Sequence, residues 1–194
     1  MLVIGNGESR KDIDINKLSG PKVGCNAIIR DCFVDRLVCV DTRVVDEVIS
    51  SSNKQPLIYT RSMWMVRYEK NQNVRTLPDL PYTSNQKWDD PFNWGSGPYA
   101  ILVAATYTTD YKIKMLGFDL YGNDRHLNNI YKDTMNYKSA DHAAVDPSYW
   151  IYQIGMLFRC FPKIEFTIYQ KDDWKLPLAW TAPNIVVDKL SNIS

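Results

Sequence analysis

The chain has 194 residues, 45% of them apolar and 23% charged, enough for one good core and too few for two ordinary domains. Its net charge is +1, with acids and bases mixed along the chain; this excludes the basic stripe that sequence-independent nucleic-acid binding needs and leaves a nucleotide ligand open. The longest apolar run, near residues 100–105, is far too short to span a membrane, and no basic, apolar leader pattern stands before the first apolar strand.

In chain order, residues 1–4 read as a buried strand ended by Gly5-Asn6-Gly7, and residues 22–25 as a second strand followed by Asn26. Residues 36–41 read as a third, ending on Asp41. Val44, Val45 and Val48 then fall at helical spacing within 43–51, and residues 55–60 form a fourth strand. The stretch 61–93, rich in Pro, Asn and aromatics, is expected to hold a short helix, a strand near 74–77 and a long loop. Ser96 is a good N-cap and Pro98 suits a first turn, so a helix runs from there to about residue 105. Residues 112–117 form a strand ending on Phe118-Asp119. A polar stretch, 120–146, follows without a clear strand. A helix starts at Asp146-Pro147 and runs to about 161, and 164–169 is the last expected strand.

Strands alternating with helices, most of them apolar throughout, predict an α/β fold: a single Rossmann-like domain over 1–170, its mainly parallel sheet covered by helices on both faces, with 171–194 as an extended tail packed on it. The high aromatic content is assigned mainly to core packing. Cys25, Cys32, Cys39 and Cys160 form no CxxC pair and no zinc spacing, so they read as reduced thiols of a cytoplasmic protein, and no metal site is predicted.

In such sheets ligands bind beyond the carboxyl ends of the strands, at the switch in strand order. The residues expected there are Gly5, Asn6, Gly7, Asn26, Asp41 and Asp119. Gly5-Asn6-Gly7-Glu8-Ser9 has the glycines and the hydroxyl of a phosphate-cradling turn, with a helix N-terminus expected behind it. Gly95-Ser96-Gly97 opens a second helix whose free amides suit an anion. Tyr121, in the loop Gly117–Asn123, can donate its phenol to a leaving phosphate. Of the two histidines, His126 and His142, the second has Asp141 beside it and is the better general base.

Taken together, Gly-Asn-Gly-x-Ser after the first strand, Cys-Asn after the second, the Ser-Gly helix start, Gly-Phe-Asp-Leu-Tyr and the loop histidine resemble the bacterial sialyltransferases of glycosyltransferase family 42. The chain is more distantly similar to hydroxymethylpterin pyrophosphokinase-like proteins. The first resemblance implies an inverting, metal-independent transferase that uses a nucleotide-sugar, CMP-linked, as substrate and needs no cofactor. It implies that Asn6, Gly7 and Ser9 hold phosphate and ribose, that Asn26, Ser96 and Gly97 complete the donor site, that Tyr121 bonds the leaving phosphate and that His142 is the base. The acceptor, a glycan or another hydroxyl, stays open. Arg10 stands where the family has an apolar residue and can supply phosphate charge instead. Tyr131 or His126 can replace a second phosphate-binding tyrosine that has no match. Family members oligomerise, and the aromatics and proline-rich tail suggest self-association here. Two alternatives share the fold: a phosphoryl-transfer enzyme with magnesium on Asp41 and Asp119, and a non-catalytic nucleotide-binding protein.

Overall fold

The structure, a computed structural model, describes residues 1–51, 54–122 and 126–194. Eight strands make one sheet: β1 (Leu2–Ile4), β2 (Lys22–Cys25), β3 (Arg36–Val38), β4 (Leu57–Thr60), β5 (Val74–Thr76), β6 (Lys112–Leu116), β7 (Glu165–Gln170) and β8 (Ile185–Lys189). Their order is β5-β4-β3-β2-β1-β6-β7-β8, and every neighbouring pair is parallel. Three α-helices accompany them: α1 (Thr42–Ser51), α2 (Ser96–Tyr107) and α3 (Ser148–Cys160). The expected α/β Rossmann-like fold is therefore present.

The two faces follow from strand alternation. Val3 points to one side, into a cluster with α2, Ile154, Leu157 and Phe158 of α3, and Trp180. Leu2 and Ile4 point to the other, where Val44, Val45 and Val48 of α1 pack with Leu37, Ile58 and Leu116. Helix α2 is buried along most of its length, as its nearly unbroken apolar sequence requires; it lies on β1, β2 and β3 and against α3.

Three local expectations change. No α-helix follows β1: Glu8–Arg10 is a single 3-10 turn. Strand β3 stops at Val38 rather than 41, because Asp41 turns to start α1: its carbonyl accepts the Val44 and Val45 amides and its carboxylate the Arg43 amide. The tail also does more than wrap. Ile185–Lys189 adds a strand at the sheet edge, in register with Phe166–Gln170. Among the described residues no helix is long and apolar enough to cross a membrane.

Candidate functional site at the switch in strand order

From β1 the chain runs outward strand by strand to β5, then returns through α2 to β6 on the other side of β1. The carboxyl ends of β1 and β6 therefore lie side by side while their continuations diverge, which opens a crevice. A cavity of about 370 Å³ occupies it, within the size range of small-molecule sites. The ends of β1, β2, β3 and β6 all reach it, and so does the start of α2.

The seam is built from glycine. A Cβ on Gly5 would run into the carbonyl of Gly117, which itself takes a φ of +73° that a side chain would strain. A Cβ on Gly7 would overlap the Asp119 carboxylate. That carboxylate, 7% exposed, accepts the Ser9 amide at 2.8 Å, the Ser9 hydroxyl, and the Gln170 amide at 3.4 Å. Asp119 thus ties the end of β6 to the turn after β1.

This tie alters the meaning of the Gly-Asn-Gly-Glu-Ser turn. The Gly7 amide donates to Gly117 O at 2.9 Å and the Glu8 amide to Asn128 Oδ1 at 2.8 Å. With Ser9 on Asp119, three consecutive amides that a phosphate would need are occupied by protein. The turn stands as wall rather than cradle, with the Asn6 amide and Asn6 Nδ2 lacking a partner among the described residues. Arg10 does not supply phosphate charge either. It is 2% exposed and lies behind the turn, with Nε on Gly5 O at 2.8 Å, Nη1 on Asp31 at 3.0 Å and Nη2 on the Tyr131 phenol at 2.7 Å. Tyr131 in turn donates to Asp31 at 2.6 Å, so it is no phosphate ligand; burial, chiefly, pushes its phenol well up.

Anion-binding capacity sits instead across the cavity. Helix α2 begins on a wall of that cavity, and its first four residues leave amides without intrahelical partners. Pro98 has none to offer, Tyr99 N donates to Gly95 O, and the Ser96 and Gly97 amides have no partner among the described residues. Ser96 is not the cap that its residue type suggests: Gly95 holds that position, and the Ser96 hydroxyl accepts the Val40 amide at 3.2 Å, an amide just past β3 that needs a partner.

Amide side chains dominate the rest of the wall. Asn6 and Asn26, expected from the sequence, are joined by Asn128, Asn129 and Asn136 from the segment 126–146, together with Tyr137 and, from α3, Trp150. Asn26, with φ +53°, has no side-chain partner among the described residues. Leu120 and Asn136 also take positive φ on this wall, so three of the five non-glycine residues in that conformation among the described residues border one cavity; such backbone tends to gather at functional sites. Among the described residues no Lys, Arg or His lines it. Its two carboxylates are both engaged: Asp119 as above, and Asp41 with Arg43, whose guanidinium holds the Asp41 carboxyl below its usual range. Among the described residues no three His, Cys, Asp or Glu side chains converge as a metal site would need.

The segment 126–146 is pinned over this opening. Its Ile130 amide bonds Asn6 O, the Ala27 amide donates to the Tyr137 phenol, and Asn136 reaches Glu47 at 2.9 Å. Arg30 joins Glu47 to the same segment through Thr134 and Met135 O. His142 lies on the outer limb, exposed, and borders neither cavity described here. Its Nε2 is 2.7 Å from Lys138 Nζ; an ammonium has only protons to give, so that lone pair is occupied. His126 is likewise exposed and pairs with Ala143 as an isolated bridge. Tyr121 and Ser9 face a second cavity, of about 510 Å³, on the far side of Asp119 and Asn128. Asn123, the last residue of the loop motif, lies outside the described residues.

The structure thus brings Gly5, Asn6, Gly7, Asn26, Asp41, Ser96, Gly97 and Asp119 to one cavity and leaves Ser9, Tyr121 and His142 out of it. The residues missed were Asn128, Asn129, Asn136, Tyr137 and Trp150. An Asn-Asn pair inside a long polar stretch between strands was the signal available for the first two. Comparison with family models, with curated proteins and with solved structures found no match for this chain.

Proposed function

We propose that the switch-point cavity binds a nucleoside monophosphate linked to a sugar, and that the chain is a glycosyltransferase of the sialyltransferase-like kind. The observation that carries this reading is the pairing of two free amides at the start of α2 with a wall rich in asparagine and, among the described residues, without Lys, Arg or His. Two helix-terminal amides and the positive end of a 12-residue helix suit one phosphate group. A di- or triphosphate would bring three or four negative charges to a wall that has no Lys or Arg among the described residues, which disfavours an ATP-dependent phosphoryl transfer. Asn128, Asn129 and Asn136 spend side-chain atoms on protein partners, so Asn26 and the Asn6 Nδ2 group supply the open donors and acceptor for ribose, base edge and sugar, and Trp150 offers an aromatic face to the base.

In this reading the leaving monophosphate is held by backbone amides as its charge develops. His142 has no part in it, and Asp119 is a structural tie.

The test is a thermal-shift series with CMP, CDP, UDP, GDP and ATP. A ligand present at 100 times its Kd adds about 2.7 kcal/mol, which in a chain of this size is a rise of roughly 5–11 °C. CMP should raise the midpoint more than CDP, and ATP should do least. If ATP with magnesium is the strongest ligand, the phosphoryl-transfer alternative replaces this reading; if none acts, the nucleotide assignment fails.

A further inference from the structure

The second cavity lies further along the same crevice, beyond the ends of β6 and β7, and shares Asp119 and Asn128 with the first as a common wall. It is walled by Glu8 and Tyr121 on one side and by Gln170, Lys171 and Trp174 on the other. We infer that it is a saccharide subsite that takes a pyranoside ring; this rests on the nucleotide-sugar reading for its role, since the occupant would then be the acceptor of the transferred sugar.

The chemistry of the lining supports that class. The Trp174 indole is fixed, because its Nε1 donates to Asp119 O at 2.9 Å. With its only polar atom occupied, the half-buried ring offers an apolar surface, the partner a sugar's C–H face requires. The Tyr121 ring also borders the space, and its phenol has no partner among the described residues. Tyr121 is placed by its own backbone: its amide donates to Asp119 O at 2.7 Å and its carbonyl accepts Asn128 Nδ2 at 2.9 Å. Carboxylates and ammonium groups share the lining with these rings, Asp173 beside Lys171 and Lys175, so it holds both acceptors and donors for vicinal hydroxyls. The charges in the lining, Glu8, Asp119 and Asp173 against Lys171 and Lys175, give no positive excess to select a polyanion. The volume of about 510 Å³ fits one or two sugar rings. Asp119 and Asn128 line both cavities, so ligands in the two would lie on either side of these residues.

The experiment is saturation-transfer NMR on the full chain with methyl galactoside, methyl glucoside and methyl N-acetylglucosaminide, alongside the CMP thermal shift. At least one glycoside should bind saturably with a Kd of about 10 mM or tighter. Tyr121→Ala should weaken it roughly threefold to tenfold, the worth of one aromatic contact, and leave the CMP shift unchanged. Asp173→Ala, at an exposed position, supplies a second variant should the first fold poorly. Absence of binding by every glycoside overturns the inference while a CMP shift leaves the nucleotide reading standing. A Tyr121→Ala variant that loses CMP binding overturns it too, because Tyr121 would then serve the donor. Glycoside binding without any CMP shift upholds the subsite and rejects the donor reading.

Discussion

Gly97→Asp tests the phosphate position without disturbing the fold. A Cβ at Gly97 meets only Phe118 Cε1, at 3.6 Å, an ordinary contact. A carboxylate in the first turn of α2 interacts favourably with the helix dipole by about 0.3–1 kcal/mol, so the free protein should melt at the same temperature or up to roughly 4 °C higher. The same carboxylate lies where the phosphate would sit. Two like charges about 4 Å apart repel by about 4 kcal/mol at an effective dielectric of 20. Screening at the open mouth of the cavity reduces this to about 2–3 kcal/mol, or roughly 30- to 150-fold in Kd. The assay is isothermal titration with CMP and with uncharged cytidine. CMP affinity should collapse while cytidine affinity holds. Equal weakening of both ligands, or an unchanged CMP affinity, would refute the placement of phosphate at the α2 N-terminus.

Arg10→Met removes three hydrogen bonds at once and leaves the buried Gly5 O without its partner, while Asp31, 36% exposed, can turn to water; an unsatisfied buried acceptor costs about 1–3 kcal/mol, so thermal unfolding monitored by circular dichroism should shift down by roughly 2–12 °C. His142→Ala should leave both nucleotide binding and any donor hydrolysis, followed by chromatography, unaltered, in contrast to the role its sequence context suggests. Glu47 is held below its usual carboxylate range chiefly by Arg30. Its contribution is therefore present above the unfolded value near 4.5 and disappears as pH falls through the lower folded value. The difference between wild type and Glu47→Gln in denaturant titrations should be about 1 kcal/mol near neutrality and vanish in acid. In native protein at pH 8 only Cys160 should react readily with an aromatic disulfide reagent, because the other three thiols are buried and burial pushes Cys25 up to about 12; four thiols reacting alike would contradict this packing.

The inner strands were legible because a parallel strand buried on both faces leaves a short apolar run, as in β1, β3 and β4, whereas β5, at one sheet edge, is Val-Arg-Thr with only the valine buried. Strand β8 escaped because Val186 and Val187 are about half exposed at the sheet edge, and the prolines around it read as a wrap. Half of the site was legible for the same topological reason: Asn6, Asn26, Asp41 and Asp119 follow strands, and strand ends converge. The roles were harder. Nothing local in Gly-Asn-Gly-Glu-Ser reveals that Gly117, Asn128 and Asp119, more than a hundred residues away, take up its amides. Likewise a histidine next to an aspartate looks like a base until its placement on the outer limb is known. The asparagines of the segment 126–146 have no periodicity to mark them, since their positions are set by pins such as Asn136 on Glu47.

The order of the strands also sets when this site can exist. Leu2 lies opposite Lys22 on one side and Lys114 on the other. The pairings among β1 to β5 each join strands that are neighbours in the chain, so these strands can associate as that portion emerges during synthesis, with short loops to close. The β1–β6 seam closes a loop of over a hundred residues, which costs more conformational entropy and comes late. Both cavities border Asp119, just past that seam. A partly made chain can therefore be half folded and still hold no ligand, and binding competence should rise with the last folding phase rather than the first.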